Sequence, residues 1–277
     1  MTLKVAPYWA MDATNGSIAI KFLNSAQIPA TSYHFRTPPT LTCCDDLYVM
    51  PHADPKWSTH SNLYFWNLNC RGGIWAGCIA GSVMESPNCV NPGNALQNLK
   101  FLTTNGMVDW TTHANGTPPY SFSNLSDPVY QFMGTPDAAT QSGWEQIYLP
   151  KKTTSTWNPG VKIGVYDPTH NDVPTKPDGP AVVTSYGRGF NDPSRGYVML
   201  QGGHDISGIS TAQVAAQRMF FNWSFLVATD KAPVVSYANI PSTMTGLQMC
   251  PNFTANVTSP AGLTSFTYQW FKTIVVV

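Results

Sequence analysis

Charge is what this 277-residue chain lacks most. Asp, Glu, Lys and Arg make up 11% of it, with 15 basic and 15 acidic residues, against about a quarter in an average soluble protein. No net field draws a polyanion, so nucleic acid and acidic lipid are poor partners. Long apolar runs are missing too. None approaches the roughly 20 residues needed to span a bilayer, so no membrane span is expected. The opening MTLKVAPYWAMDATNG has neither a long apolar stretch nor a small-residue cleavage site, and so no visible leader. Metal spacing is also absent. The cysteines (Cys43, Cys44, Cys70, Cys78, Cys89, Cys250) contain no CxxC, and no histidine stands at ligand spacing from them. His34, His60, His113 and His170 follow no such spacing either. Neither metal nor cofactor is expected.

What is present points to a globular, loop-rich protein. Apolar residues reach 43%, enough for a sizeable core, and 23 Pro and 21 Gly punctuate the chain. The polar but weakly charged surface predicts an exported protein, extracellular or periplasmic. One disulfide among Cys43 or Cys44, Cys70 and Cys89 fits an oxidising compartment; buried free thiols fit the pattern equally well, and composition does not choose.

The first half alternates strand and helix. Strands are predicted at 4–10, 31–35, 47–50 and 74–76, and helices at 18–26, with Ser17 as N-cap, and 63–68. That order predicts an open, mostly parallel sheet with helices on both faces. Residues 87–143 break the rhythm and read as an insertion, too long for a plain connection. Strand-like runs return at 144–149, 161–166, 181–186 and 196–200, the last two joined by the turn-rich GRGFNDPSRG of an antiparallel hairpin. Ser210-Thr211-Ala212-Gln213 is a capping box before a long helix whose apolar residues recur at helical spacing. Residues 1–231 thus form one α/β domain. Residues 232–277 change character, with alternating strands at 253–257 and 266–271 around a turn at 259–262. They are too few for a complete immunoglobulin-like sandwich of about 100 residues, so an incomplete β module, with further C-terminal domains beyond it, is expected.

Two segments carry the chemistry. In GGIWAGCIAGSVMES (72–86), small residues let a strand turn sharply into a helix at Cys78. Ala76-Gly77-Cys78-Ile79-Ala80 has the small-x-nucleophile-x-small spacing of a nucleophile elbow, with Gly77 and Ile79 flanking the sulfur. The competing reading is a small apolar residue in a crowded core. In GYVMLQGGHDISG (196–208), a strand runs into Gly202-Gly203 and His204 lies just past its end. Ligands bind open α/β sheets beyond the carboxyl ends of their strands. His204 there could serve Cys78 as general base. Asp12, Asn15, His52 and Gly203 follow strand ends as well and are candidate pocket residues.

On these residues the chain resembles the class I glutamine amidotransferase-like superfamily over about residues 3–228. The resemblance implies a flavodoxin-like fold, with an elbow cysteine (Cys78) after a central strand and a late histidine (His204) after a hairpin strand. Residues 234–277 resemble PKD or Ig-like modules of exported bacterial proteins. Two departures matter. Glutamine-hydrolysing members carry a glutamate two residues after the histidine, where this chain has Ile206, and its Asp205 falls one residue early, on the opposite side of an extended backbone. The candidates left for an orienting acid are Asp205, Glu85 and Asp54, with Glu85 about 10 Å along the helix from the sulfur. The expected function is a Cys-dependent hydrolase of a small amide or ester, without glutaminase activity. The alternative is a non-catalytic module that binds a small molecule or glycan with an eroded triad.

Overall fold

A computed structural model describes residues 7–132, 134–137, 139, 145–170, 181–231, 234–238 and 254–258. The chain runs β1 (Trp9–Asp12), α1 (Ser17–Ser25), β2 (Tyr33–Arg36), β3 (Leu47–Pro51), α2 (Trp57–His60), α3 (Asn62–Asn69), β4 (Gly73–Gly77) and α4 (Ile79–Met84). It continues through β5 (Val90–Asn91), β6 (Asn94–Asn98), β7 (Ser121–Phe122), β8 (Lys162–Asp167), β9 (Ala181–Arg188), β10 (Tyr197–Gln201), α5 (Thr211–Lys231), β11 (Val234–Ala238) and β12 (Thr254–Thr258). Eight strands form one sheet in the order β2-β1-β3-β4-β10-β9-β8-β7. The pairings from β2 to β10 are parallel, and those from β10 to β7 antiparallel. The fold is a mixed, mostly parallel α/β sheet. The chain steps out from β1 to β2, then returns past β1 to β3. Such a reversal opens a crevice at the carboxyl ends of the strands.

Strand periodicity sorts the core into two layers. Trp9, Met11, Leu47, Val49, Trp75 and Met199 point to one face, against Phe22 and Leu23 of α1 and Phe220 and Trp223 of α5. Ala10, Tyr48, Met50, Ile74, Ala76 and Leu200 point to the other, against Leu63 and Trp66 of α3 and Ala80 and Met84 of α4. Both faces are buried, which is why β3 and β4 read as continuous apolar runs rather than alternating ones. Trp75 meets Phe22 and Phe220 edge to face, with centroids 6.2 and 5.5 Å apart, and so fixes α1 and α5 to β4.

Several expectations shift. β1 ends two residues later than the predicted strand, at Asp12, whereas residues 1–6 lie outside the described residues. Of the run at 144–149, the described residues 145–149 form no regular ladder. They touch β9 through one bridge, Tyr148 to Val182, and β10's exit through the Gln146 N–H, which donates to the Gly202 carbonyl at 3.0 Å. The insertion packs into both layers. Leu99, Phe101, Leu102 and Met107 enter one; Tyr120, Val129, Tyr130 and Phe132 enter the other; β7 adds the edge strand. The predicted strand at 253–257 matches β12, which pairs antiparallel with β11. Its expected partner at 266–271, the turn at 259–262 and Cys250 lie outside the described residues. Cys43 and Cys70 form a disulfide, while Cys44, Cys78 and Cys89 are free. Among the described residues no helix is long and apolar enough to cross a membrane.

Candidate functional site

The carboxyl ends of β1, β3, β4 and β10 meet at one rim. At β4 the chain turns straight from Gly77 into α4, and Cys78 between them takes φ +59 and ψ −134. A positive φ is uncommon for a residue with a Cβ and is held only where the surroundings impose it. Here the backbone N–H of Cys78 donates to the Gln201 carbonyl at 2.8 Å. The Tyr148 hydroxyl lies 2.9 Å from both the Cys78 and the Gln201 carbonyl oxygens. Gly81 is what lets Tyr148 in, since a Cβ there would stand 2.7 Å from the phenol ring. The elbow is therefore clamped between β10 and a tyrosine from the irregular 145–149 segment.

His52 leaves β3 in a similar way. Its φ is +49, its N–H donates to the Gly77 carbonyl at 2.9 Å, and its own carbonyl accepts from the Asn15 side-chain amide at 2.8 Å. Asn15 is itself held by a turn in which the Asp12 carboxylate accepts the Thr14 and Asn15 N–H groups. The other Asp12 oxygen accepts the Tyr48 hydroxyl. Asp12 and Asn15 thus act as struts beneath His52.

These turns converge three donors. The Cys78 sulfur and one ring nitrogen each of His52 and His204 all lie within 4.8 Å of one another. The two imidazole centroids are 4.6 Å apart, with planes tilted by 50°. His52 is exposed at the rim and His204 half-buried, while Cys78 keeps only 8% of its surface open. The His204 Nδ1 is buried without a hydrogen-bond partner. Burial pushes the Cys78 thiol up to about 11; the Ile79 N–H at the sulfur works against this, and the Glu145 carboxylate adds to it. Burial also lowers His204, helped by His52 and Lys21 and opposed by Asp205. Near neutral pH the site holds an uncharged thiol beside an uncharged His204.

The candidate acids do not reach this pair. Asp205 turns to α1, where it pairs with the Lys21 ammonium at 2.6 Å and accepts from the Ser207 hydroxyl. Glu85 is fully buried and accepts from the Leu102 N–H at 2.8 Å and the Thr103 hydroxyl at 2.6 Å, so it anchors the insertion. Asp54 is exposed and pairs with Lys56. Ile206, at the position of the expected glutamate, is buried in the core. Gly203 and Glu145 line a small, partly open hollow with Gln201 and Ile206.

No family model matches the chain, and no curated protein does. Among solved structures, a ThuA-like protein of Bacteroides uniformis is similar, with 14% sequence identity and a TM-score of 0.45 over 79% of this chain and 92% of that one. A likeness at this level carries no functional argument, so the site must speak through its own geometry.

Sequence reasoning missed two members of that geometry. Glu145 stands close enough to Cys78 to affect its ionisation and accepts the Tyr120 hydroxyl at 3.1 Å. Tyr148 holds the elbow. Both sit in a run that reads as an ordinary strand, and no local pattern marks either. His52 was expected only to line a pocket; one of its ring nitrogens lies within 4.8 Å of the sulfur.

Proposed function

We propose that Cys78 is the nucleophile of a hydrolase for small amides or esters, in an exported protein with an amidotransferase-like domain. One observation carries this reading: a cysteine forced to positive φ at a strand-to-helix turn, with two imidazoles within 4.8 Å of its sulfur. A strained conformation at a rim that already gathers ionisable groups suits pre-organisation rather than packing. The disulfide Cys43–Cys70 supports an oxidising compartment. The domain spans residues 1–231 with residues 232–277 as a following β module.

The thiol starts neutral, so the proton must leave during attack. Sγ adds to the substrate carbonyl carbon as the S–H proton passes to a histidine nitrogen, directly after a small ring rotation or through one water. The imidazolium then protonates the leaving amine or alkoxide, and a thioester remains on Cys78. A water molecule gives one proton to the imidazole and attacks the thioester. Collapse releases the acid and restores the S–H bond. His204 serves as base without an orienting carboxylate, which weakens it relative to a full triad. The lowered His204 keeps its base form available below pH 6.5.

A panel of nitrophenyl esters and anilides, with mass spectrometry of the Cys78 peptide to trap the thioester, tests this. Cys78→Ala should abolish turnover and the adduct, and His204→Ala should slow turnover by about 10²–10⁴-fold. Unchanged turnover in Cys78→Ala would overturn the reading. Burial of Ile206 in place of an acid favours a second reading, a domain that binds a small molecule or glycan without turnover. Ligand binding that is equal in wild type and Cys78→Ala, with no product from either, would establish it.

A further inference from the structure

The same three donors suit something besides a carbonyl. One thiol and two imidazoles form a borderline-soft set that favours zinc-type ions over magnesium or calcium. In a tetrahedral zinc site, bonds of about 2.0–2.3 Å place neighbouring ligand atoms about 3.4–3.6 Å apart. The donors here lie within 4.8 Å of one another, so closing on an ion asks each to move by about 1 Å or less. The backbone of Cys78 is clamped by Gln201 and Tyr148, but the two rings can swing, since His52 is exposed and His204 half-buried. The His204 Nδ1 is buried and unpartnered. The nearby Asp205 and Asp12 are engaged elsewhere, by Lys21 and by Tyr48, so neither competes for the ion or completes a closed four-protein-ligand shell. A fourth position is left toward the rim on which exposed His52 stands.

We propose that His52, Cys78 and His204 form a three-donor site for a zinc-type divalent ion, and that the bound ion silences Cys78. On binding, the S–H proton is released to solvent, the thiolate and two neutral imidazoles each donate a lone pair, and no electron is transferred. The sulfur lone pair is then committed to the metal and cannot attack a carbonyl. The metal site stands on the donor geometry; only its inhibitory consequence rests on the hydrolase reading above. Among the described residues no carboxylate or carbonyl hydrogen-bonds a ring nitrogen of His52 or His204, the kind of outer contact that tightens metal-bound histidines. The ion therefore binds reversibly.

The test uses the full chain with Cys44→Ser as background, which removes the one exposed free thiol among the described residues. Cobalt(II) is titrated into the chelator-treated protein, followed by zinc(II). The expected result is a near-ultraviolet thiolate-to-cobalt charge-transfer band saturating at one equivalent and bleached by zinc. Zinc should also protect Cys78 from iodoacetamide, read on its peptide by mass spectrometry, and chelator should restore alkylation. Cys78→Ser should remove the band, and His52→Gln and His204→Gln should each weaken cobalt binding by more than about tenfold, with circular dichroism confirming that each variant is folded. A band that survives Cys78→Ser, or wild-type protein with neither band nor zinc protection, would overturn the site. Failure of the two readings is distinguishable. Protection without any ester or amide turnover leaves the metal site standing and removes the hydrolase. Turnover that zinc does not slow, in protein that shows no band, removes the metal site and leaves the hydrolase.

Discussion

The two rims of the sheet differ in how their polar groups are met. At the amino-terminal rim, Asp230 at the end of α5 accepts from Arg71 at 3.0 Å and from Arg188 at 2.6 Å. Arg188 also stacks 3.8 Å over the Tyr197 ring. Nearby, the buried Lys231 donates to the Cys43 and Asp45 carbonyls and pairs with Asp46 at 3.2 Å, and the Cys43–Cys70 disulfide ties the segments before β3 and β4. At the carboxyl-terminal rim, Cys78 and His52 hold positive φ, and the buried His204 Nδ1 has no partner. Both rims hold strained backbone, since Arg71, Phe190 and Asn191 at the amino-terminal rim also take positive φ; what differs is that one rim gathers paired charges, whereas the other gathers a thiol and two imidazoles that no ion pair engages. The contrast teaches that strained turns are stabilised by ion pairs and a disulfide at one end, whereas at the other they hold a thiol and two imidazoles close together.

The largest expected effect breaks that contrast at the locked rim. Burial pushes the Asp230 carboxyl up, but hydrogen bonds from Arg188 and Arg71 and their charges hold it below the usual carboxylate range. Asp230→Ala leaves two partly buried guanidinium groups unpaired. Removing one partner from such a cluster costs about 3–5 kcal/mol, here toward the lower figure because both arginines keep some exposure. Urea denaturation should show this loss, whereas the alkylation rate of Cys78 in the folded fraction should stay near wild type. A large change in that rate with little loss of stability would show that the rims are coupled more tightly than the packing implies.

Glu85 sharpens the comparison, because it is a buried acid with only neutral donors around it. Burial raises its carboxyl to about 7, against hydrogen bonds from Thr103 and Leu102. The folded state then holds a proton that the unfolded chain releases above about pH 4.5. Stability should therefore be highest on the acid side of that window and fall as pH rises from about 4.5 to about 7, by at most about 3 kcal/mol. The wild-type thermal midpoint should decline across this range relative to that of Glu85→Gln, since the lowered His34, His60 and His204 act alike in both. A wild-type midpoint that rises relative to Glu85→Gln through the window would mean that the donors outweigh burial and that Glu85 is ionised throughout.

Much of the architecture was legible because it rests on local pattern. The apolar runs of β3 and β4, the turn-rich link before β10 and the small residues around Cys78 each state a short-range steric or packing requirement. The site was legible only in pieces. Cys78 and His204 each announced a strand end, but nothing in local sequence says that the ends of β3, β4 and β10 lie side by side, so the approach of His52 to both was invisible. No ligand spacing exists when each donor comes from a different strand. Glu145 and Tyr148 were hidden for a related reason: each acts on a residue distant in sequence, Glu145 on Cys78 and Tyr120, and Tyr148 on the elbow, where Gly81 has no side chain to exclude it. How residues 87–143 pack was not legible either, because their composition is mostly polar and their scattered Leu, Phe and Tyr, which fill both layers, follow no period.

The smallest effect comes from the one helix start that the sequence defined completely, and it tests whether the working rim tolerates local loosening. Ser210 accepts the Gln213 N–H at 3.2 Å through its hydroxyl, and the Gln213 side chain accepts the Ser210 N–H at 3.2 Å. This box opens α5 close behind the His204 loop, and the α5 residue Gln217 donates to the Ile206 and Gly208 carbonyls of that loop. Ser210→Ala removes one acceptor from the first turn and should cost about 1 kcal/mol, a small shift beside the loss at Asp230. If Gln217 holds the loop independently of the cap, Cys78 alkylation and any ester turnover should change by less than about twofold, since a 1.4 kcal/mol difference is needed for a factor of ten. A larger loss of turnover at this modest cost in stability would mean that the helix start positions His204, and that the carboxyl rim is held by α5 as well as by its own strained turns.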